Sequence, residues 1–281
     1  MLRVTSKYLA IILLAGLPVP GFGQASQFRP STMRSDVVGT SEEGLFPTAN
    51  VNELSIPHVQ MPIMAPELAL HAFQSRDEQQ NAGLRSYTDD TLVMAELLDT
   101  SQRGAFELQR SFVAPRSLSF KPLSFTGDAF VKSNVIVRLL QSEVDYVTKG
   151  DPEQEALTAT NYKFSYKGDQ DLDGRAVHVF QVKPRHKRPG LFKGRIYLDA
   201  STGSLVRSEG TVVKSPSFFI RKIEFVQDYA DVDHFTLPVH LHSTARARFV
   251  GRAVVDVFHR QYQAQPLNAS LALDRGLAGQ P

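Results

Sequence analysis

No cysteine occurs anywhere in the 281-residue chain. That absence excludes disulfides, thiolate metal sites and cysteine nucleophiles. It also excludes a diacylglyceryl anchor, which needs a cysteine after the apolar run near the start. Serine-hydrolase signatures are missing as well, since neither Gly-x-Ser-x-Gly nor Ser-x-x-Lys occurs. Carboxylate pairs such as Asp89 with Asp90, or Asp231 with Asp233, are of a kind common on protein surfaces and activate no evident nucleophile. The chain reads as a non-enzyme with no cofactor and no resident metal.

Long hydrophobic runs are also scarce. Arg3 and Lys7 precede an apolar run from Tyr8 to Leu17, which Pro18 and Pro20 end before the small residues Gly21, Gly23 and Ala25. The run is too short to span a bilayer and has the layout of a cleaved secretory signal. The expected product is a periplasmic protein that is not a lipoprotein, because an exported eukaryotic chain of this size would more often carry disulfides. Export makes nucleic acid an unsuitable partner.

Net charge is +2, which hides an asymmetry. Residues 26–160 carry 11 basic and 18 acidic side chains, a net of −7, whereas residues 161–263 carry 17 basic and 10 acidic, a net of +7. Opposite signs favour docking of the two parts on each other, or leave the second to meet an anionic partner.

The expected organisation is a signal peptide at residues 1–25, a flexible leader at 26–65, a folded domain at 66–265 and a flexible tail at 266–281. Pro57, Pro62 and Pro66 interrupt the leader. Helical periodicity is expected from Pro66 to Leu84, with proline and Glu67 both suited to a first turn. Strands follow at Tyr87–Leu98 and Ala105–Val113, then an alternating stretch at Ser117–Phe125. Asp128–Lys149 is the best helix, with Phe130, Val131, Val135, Leu139, Leu140, Val144 and Val147 on one stripe and Gly150 ending it.

Seven strand-like runs then succeed one another without a crossover helix: Tyr162–Lys167, Arg175–Lys183, Phe192–Asp199, Leu205–Lys214, Phe218–Tyr229, Phe235–Phe249 and Ala253–Tyr262. Such an order pairs mostly as an antiparallel meander. In the sixth run Val239, Leu241, Ala245, Ala247 and Phe249 form a dry face, opposite His240, His242, Thr244, Arg246 and Arg248. An apolar face this wide must be covered. The expected fold is therefore α+β, a strongly curved antiparallel sheet, or half-barrel, with helices covering its concave face.

Several local patterns carry two readings each. The small side chains Ala245, Ala247 and Ala253 leave space either for an apolar ligand or for the approach of the Asp128–Lys149 helix. The ligand reading places Val239, Leu241, Ala245, Ala247, Phe249, Val135 and Leu139 in a cavity wall. Asp169, Asp171, Asp173 and Gly174 resemble the opening of a calcium loop, but the twelfth position is Phe180, so a hairpin turn serves equally well. His240 and His242 could seat a metal with His178 or His259, or could sit in solvent. Lys183, Arg185, Lys187 and Arg188 form either a solvated hairpin tip or a contact for an anionic membrane surface.

The stretch Phe192–Gly210, in which Tyr197, Leu198 and Asp199 lead through an Asp-x-x-x-Gly turn at Gly203 to Leu205, Val206 and Arg207, resembles the bacterial outer-membrane lipoprotein-sorting superfamily. Val177–Pro184, a strand ending in proline before a basic hairpin, and Leu237-Pro238 at the entry of the sixth run are similar to that family too. The resemblance covers about Asn161–Tyr262. It implies an open half-barrel that holds a lipid or lipoprotein acyl chain between sheet and helices, or alternatively an envelope module that binds a partner protein and no small ligand.

Overall fold

The computed structural model describes residues 62–214, 220–248 and 251–267. The expected signal peptide, leader and tail, together with Phe249, lie outside the described residues, as do the side chains of Asn81 and Ala247.

Helix α1 (Pro66–Gly83) opens the fold with proline in its first turn and Glu67 behind it. Strands β1 (Leu84–Leu97), β2 (Gln102–Val113) and β3 (Ser117–Gly127) follow as antiparallel hairpins. The long helical stretch is divided into α2 (Ala129–Val131), a π-helical turn at Lys132–Ile136 and α3 (Val137–Lys149). Asp128 caps its start by accepting hydrogen bonds from the backbone N–H groups of Phe130 and Val131. The sequence stripe predicts one uninterrupted helix, and the π turn is the difference. The extra residue in that turn lets the adjacent Val135 and Ile136 both be buried.

A short helix, α4 (Pro152–Glu155), leads into seven further strands: β4 (Tyr162–Leu172), β5 (Arg175–Pro184), β6 (Phe192–Asp199), β7 (Leu205–Val212), β8 (Ile220–Val232), β9 (Phe235–Ala247) and β10 (Gly251–Pro266). All ten strands form one antiparallel sheet in the order β3-β2-β1-β10-β9-β8-β7-β6-β5-β4. The sheet is a meander whose last strand returns to pair with the first, Leu97 opposite Ala253 and Val93 opposite Val257. Strands β3 and β4 end the order, so the sheet is not closed into a barrel.

One apolar cluster occupies the inner face. It joins Val131, Val135, Ile136, Leu139 and Leu140 of the helical stretch to Val93, Leu97, Phe106, Leu108, Leu241, Val255, Phe225, Ile196 and Val182 of the strands. The principal helix contacts with the sheet are at β3, at β1 and β2, and at β6. That is a narrower footing than helices laid across a whole face. Val177, Val179 and Tyr197 pack separately on the opposite, outer face with Leu172 and Val206.

The Asp-x-x-x-Gly turn has a clear physical role. The Asp199 carboxylate accepts hydrogen bonds from the N–H groups of Ser201 and Thr202 and from the Thr202 hydroxyl, closing the turn on itself. Gly203 has φ +71°, and a Cβ there would stand 2.8 Å from the Ala69 carbonyl and from the Ala72 Cβ. Only glycine lets the turn and α1 approach so closely. Met64, just before α1, donates its N–H to the Ala200 carbonyl of the same turn. At the other end of α1, Gln80 exchanges two hydrogen bonds with the backbone of Thr236. The turn motif is thus a seat for α1.

Candidate functional site

Beneath α3 the inner face carries a buried charge cluster that composition alone hides. Asp89 on β1 lies directly opposite Arg110 on β2. Arg110 is 1% exposed and spends its guanidinium on three partners: Nε donates to Asp89 (2.7 Å), Nη1 to Glu143 of α3 (2.9 Å) and Nη2 to the Tyr262 hydroxyl (2.7 Å). The rings of Tyr87 and Tyr262 flank the guanidinium at 5.1 and 5.9 Å. The Tyr262 hydroxyl in turn donates a hydrogen bond to the Pro238 carbonyl of β9. Three strands and a helix therefore meet at one cation, and Tyr262 links it onward to β9.

Burial by itself would raise the Asp89 carboxyl, but Arg110, then His259 and Thr91, outweigh it and hold it at about 2. Burial followed by Arg110 pushes His259 below its ordinary value, against the opposing pull of Asp89. Thr91 and Asp89 both face the same ring nitrogen, Nδ1 of His259, at 2.9 and 3.1 Å. A hydroxyl and a carboxylate sharing one nitrogen do not form the sequence of nucleophile, base and orienting acid on which hydroxyl catalysis depends.

By sequence, Asp89 beside Asp90 is of a kind common on protein surfaces. The structure corrects that expectation: Asp89 is buried, because its side chain falls on the same strand face as Tyr87, Thr91 and Val93. The signal was present in the spacing. Arg110 alternates with Phe106, Leu108 and Phe112, and Glu143 stands four residues from both Leu139 and Val147 on the buried stripe of α3. Asp231 is likewise engaged, accepting from the hydroxyls of Ser204 and Thr236.

A second inner feature is a cavity of about 30 Å³, the room of a single water, lined by Asp77, Tyr146, Glu155, Tyr162, Ser208 and Tyr229 among others. Burial raises the Glu155 carboxyl to about 7, with Tyr146 opposing and Asp151 reinforcing the shift. Glu155 presses on Gly190, where a Cβ would collide with its carboxylate. On the outer face a wider, open groove of about 370 Å³ runs between Met94, Ala105 and Val254, with Glu96, Arg103 and Asp256 at its rim.

The predicted cavity wall is divided. Val135, Leu139 and Leu241 are all buried in the main apolar cluster. Ala245 is buried but belongs to a separate cluster with Ile220, Ile223 and Val212, and Val239 is half-buried. Ala245 and Ala253 face each other across β9 and β10.

His240 and His242 converge on one carboxylate, Asp256 of the neighbouring strand, at 3.1 and 2.9 Å, and His240 stacks on Phe258. Both histidines are partly exposed on the outer face, with that carboxylate as their shared partner. His259 lies in the inner cluster and His178 on β5, so neither joins the pair. No metal-holding group of His, Asp and Glu occurs among the described residues.

The Asp-rich turn disperses its carboxylates. Asp169 meets Tyr166 and Nδ1 of His178, and Asp171 accepts from the N–H of Gly174. His178 in turn bonds the Met64 carbonyl through Nε2 (2.9 Å), which ties the hairpin to the segment entering α1. Lys183, Arg185 and Lys187 are exposed at the β5–β6 corner. Arg185 donates to the Ala159 carbonyl and Arg188 to the Gln154 side chain.

Residues 155–265 match a family of unknown function, DUF5686. No curated protein matches the chain. Three solved structures are similar in fold at low identity. A LolA superfamily protein from Nitrosomonas europaea is 8% identical, with a TM-score of 0.35 over 74% of this chain and 97% of its own. A putative outer-membrane lipoprotein-sorting protein domain from Vibrio parahaemolyticus is 13% identical, with a TM-score of 0.39 over 75% and 98%. The MucA/MucB complex of Pseudomonas aeruginosa contributes a chain that is 11% identical, with a TM-score of 0.24 over 68% and 92%. The stretch Phe192–Gly210 falls inside the residues that match the family of unknown function. Among the described residues no helix is long and apolar enough to cross a membrane.

Proposed function

We propose that the chain is an exported, non-catalytic binding module whose apolar inner face takes an acyl chain or a comparable apolar ligand. One observation carries the reading: a single apolar cluster is shared between the Val131–Leu140 stretch and the strands of a sheet that is not closed. A helix rather than a paired strand then covers this part of the interior, and a helix can be displaced without breaking a ladder of backbone hydrogen bonds. The inner cavity of about 30 Å³ is too small for a lipid, so entry requires the helical stretch Ala129–Lys149 to move away from β1, β2 and β3. Val135, Leu139, Leu241 and Ala245 would form the wall. The charged start and apolar run at Tyr8–Leu17 support export.

A specific observation also favours a protein partner. Strand β3 has one unpaired edge, and beside it Leu123, Phe130 and Val137 are 57%, 38% and 44% exposed. Native mass spectrometry followed by lipid extraction, on protein purified from an envelope fraction, separates the two. A stoichiometric bound lipid that survives dilution supports the apolar-ligand reading, and its loss in Ala245→Phe would locate the ligand. A clean apo mass refutes it in favour of the partner reading.

A further inference from the structure

The outer face of the sheet balances many of its cations. Lys222 meets Glu224 at 2.7 Å, Arg103 meets Glu96 at 2.9 Å, Arg207 meets Asp228 at 2.5 Å and Arg175 meets Asp199 at 3.0 Å. One corner departs from that rule. Lys163 on β4 lies directly opposite Lys183 on β5, and the pairing of Val182 with Gly194 continues the same row to Lys193 on β6. All three are exposed and project from the outer face, because Tyr162, Val182 and Phe192 beside them are buried in the inner cluster.

Like charges directly opposite one another on neighbouring strands repel. Among the described residues no carboxylate is paired with Lys163, Lys183 or Lys193. The adjoining corner adds charge without cancelling it: Arg185 and Arg188 are held by a carbonyl and a side-chain amide, both neutral acceptors, and Lys187 is exposed. Helix α4 beside the corner carries Asp151, which caps its first turn, with Glu153 and Glu155, and none of the three is paired with a lysine of the row.

We infer that this corner docks on the phosphate plane of an anionic lipid bilayer. Strands are spaced at about 4.8 Å, so the three lysines form a row roughly 10 Å long whose side chains run side by side. They do not converge, as they would on a single phosphate, and the row carries no aromatic ring on which a nucleic-acid base could stack. An array of many anions in a plane satisfies such a row and relieves its internal repulsion. The inference goes beyond the binding reading and stands whether or not a ligand occupies the interior.

Co-sedimentation of the full chain with vesicles tests it. The chain is expected to bind vesicles containing phosphatidylglycerol, to ignore vesicles of phosphatidylcholine alone, and to be released by salt. Each lysine near an anionic surface contributes about five-fold to partitioning, so Lys163→Gln with Lys183→Gln and Lys193→Gln should lose about a hundredfold. The triple variant should melt no lower than the parent, since it removes a repulsion. Lys222→Gln, on the same face but already paired, should bind as the parent does. The inference is overturned if the parent ignores phosphatidylglycerol vesicles, if it binds phosphatidylcholine equally, or if the triple variant binds undiminished.

Discussion

Arg110→Met removes the one cation at which β1, β2, β10 and α3 meet. The parent side chain forms three charge-assisted or polar hydrogen bonds of 2.7 to 2.9 Å and is 1% exposed. Methionine fills most of the volume but leaves the Asp89 and Glu143 carboxylates buried with no cation beside them. Breaking a buried pair from one side typically costs about 3–5 kcal/mol, and two carboxylates are orphaned here. The loss must also depend on pH, with a definite sign. In the parent, Asp89 is held at about 2, below its ordinary 3.8. A depressed carboxyl contributes stability above the unfolded value and loses it as pH falls through the folded one, which here amounts to roughly 2.5 kcal/mol. Without Arg110 the dominant remaining influence is burial, which raises Asp89, so the variant should gain from protonation. Urea unfolding followed by far-ultraviolet circular dichroism should show a deficit of about 4 kcal/mol at neutral pH, shrinking by at least about 1 kcal/mol near pH ~4.5. Lys in place of Arg110 should recover only part of it, because a point charge cannot fork to three acceptors. A deficit below about 1 kcal/mol, or one identical at both pH values, would refute the view that this cation organises the inner face.

Glu155 should act in the opposite direction. Its carboxyl is raised from 4.5 to about 7, so the fold favours the protonated form, and stability should decline as pH rises from about 4.5 through 7, by at most about 3 kcal/mol given partial exposure. Thermal melts of Glu155→Gln should be flat over that window while the parent falls, and parallel curves would count against the assignment. Gly203→Ala should cost more than about 1 kcal/mol, since it combines a φ of +71° with a Cβ at 2.8 Å from α1. Hydrogen exchange should then quicken in α1 before the strands, and unchanged protection there would contradict the seating role. Calcium should leave the melting temperature unaltered, because Asp169 and Asp171 are spent on other partners; a rise on titration would restore the metal reading of that turn.

Much of the fold was legible because it depends on short-range order. Strand β6 matches its expected run, α1 begins at the expected proline, and β5, β7 and β9 end within a few residues of their expected limits. Alternation also put Leu241 and Ala245 on the buried face, and helical spacing did so for Val135 and Leu139. The charged site escaped notice for a different reason. Arg110, Asp89 and Glu143 are residues that normally mark a wet face, and the two carboxylates are buried here beside the one guanidinium that pairs with both. The two carboxylate partners of Arg110 lie 21 and 33 residues away along the chain, so no local pattern pairs them. The same holds for the carboxylate shared by His240 and His242, which comes from Asp256 on the adjacent strand.

What the sequence by itself determined is therefore the direction each side chain takes from its own backbone: which residues of a strand share a face, where the helical stripe lies, and that the Asp199–Gly203 turn could close. Which elements become neighbours was decided by the tertiary structure. The return of β10 to β1 sets the acidic and basic parts of the chain in one sheet, gathers Asp89, Arg110, His259 and Tyr262 beneath α3, and leaves Lys163, Lys183 and Lys193 side by side at the far edge. Backbone geometry repeats every two or 3.6 residues and can be read locally, whereas strand pairing closes loops of many residues and is chosen by the burial and charge compensation of the whole sheet.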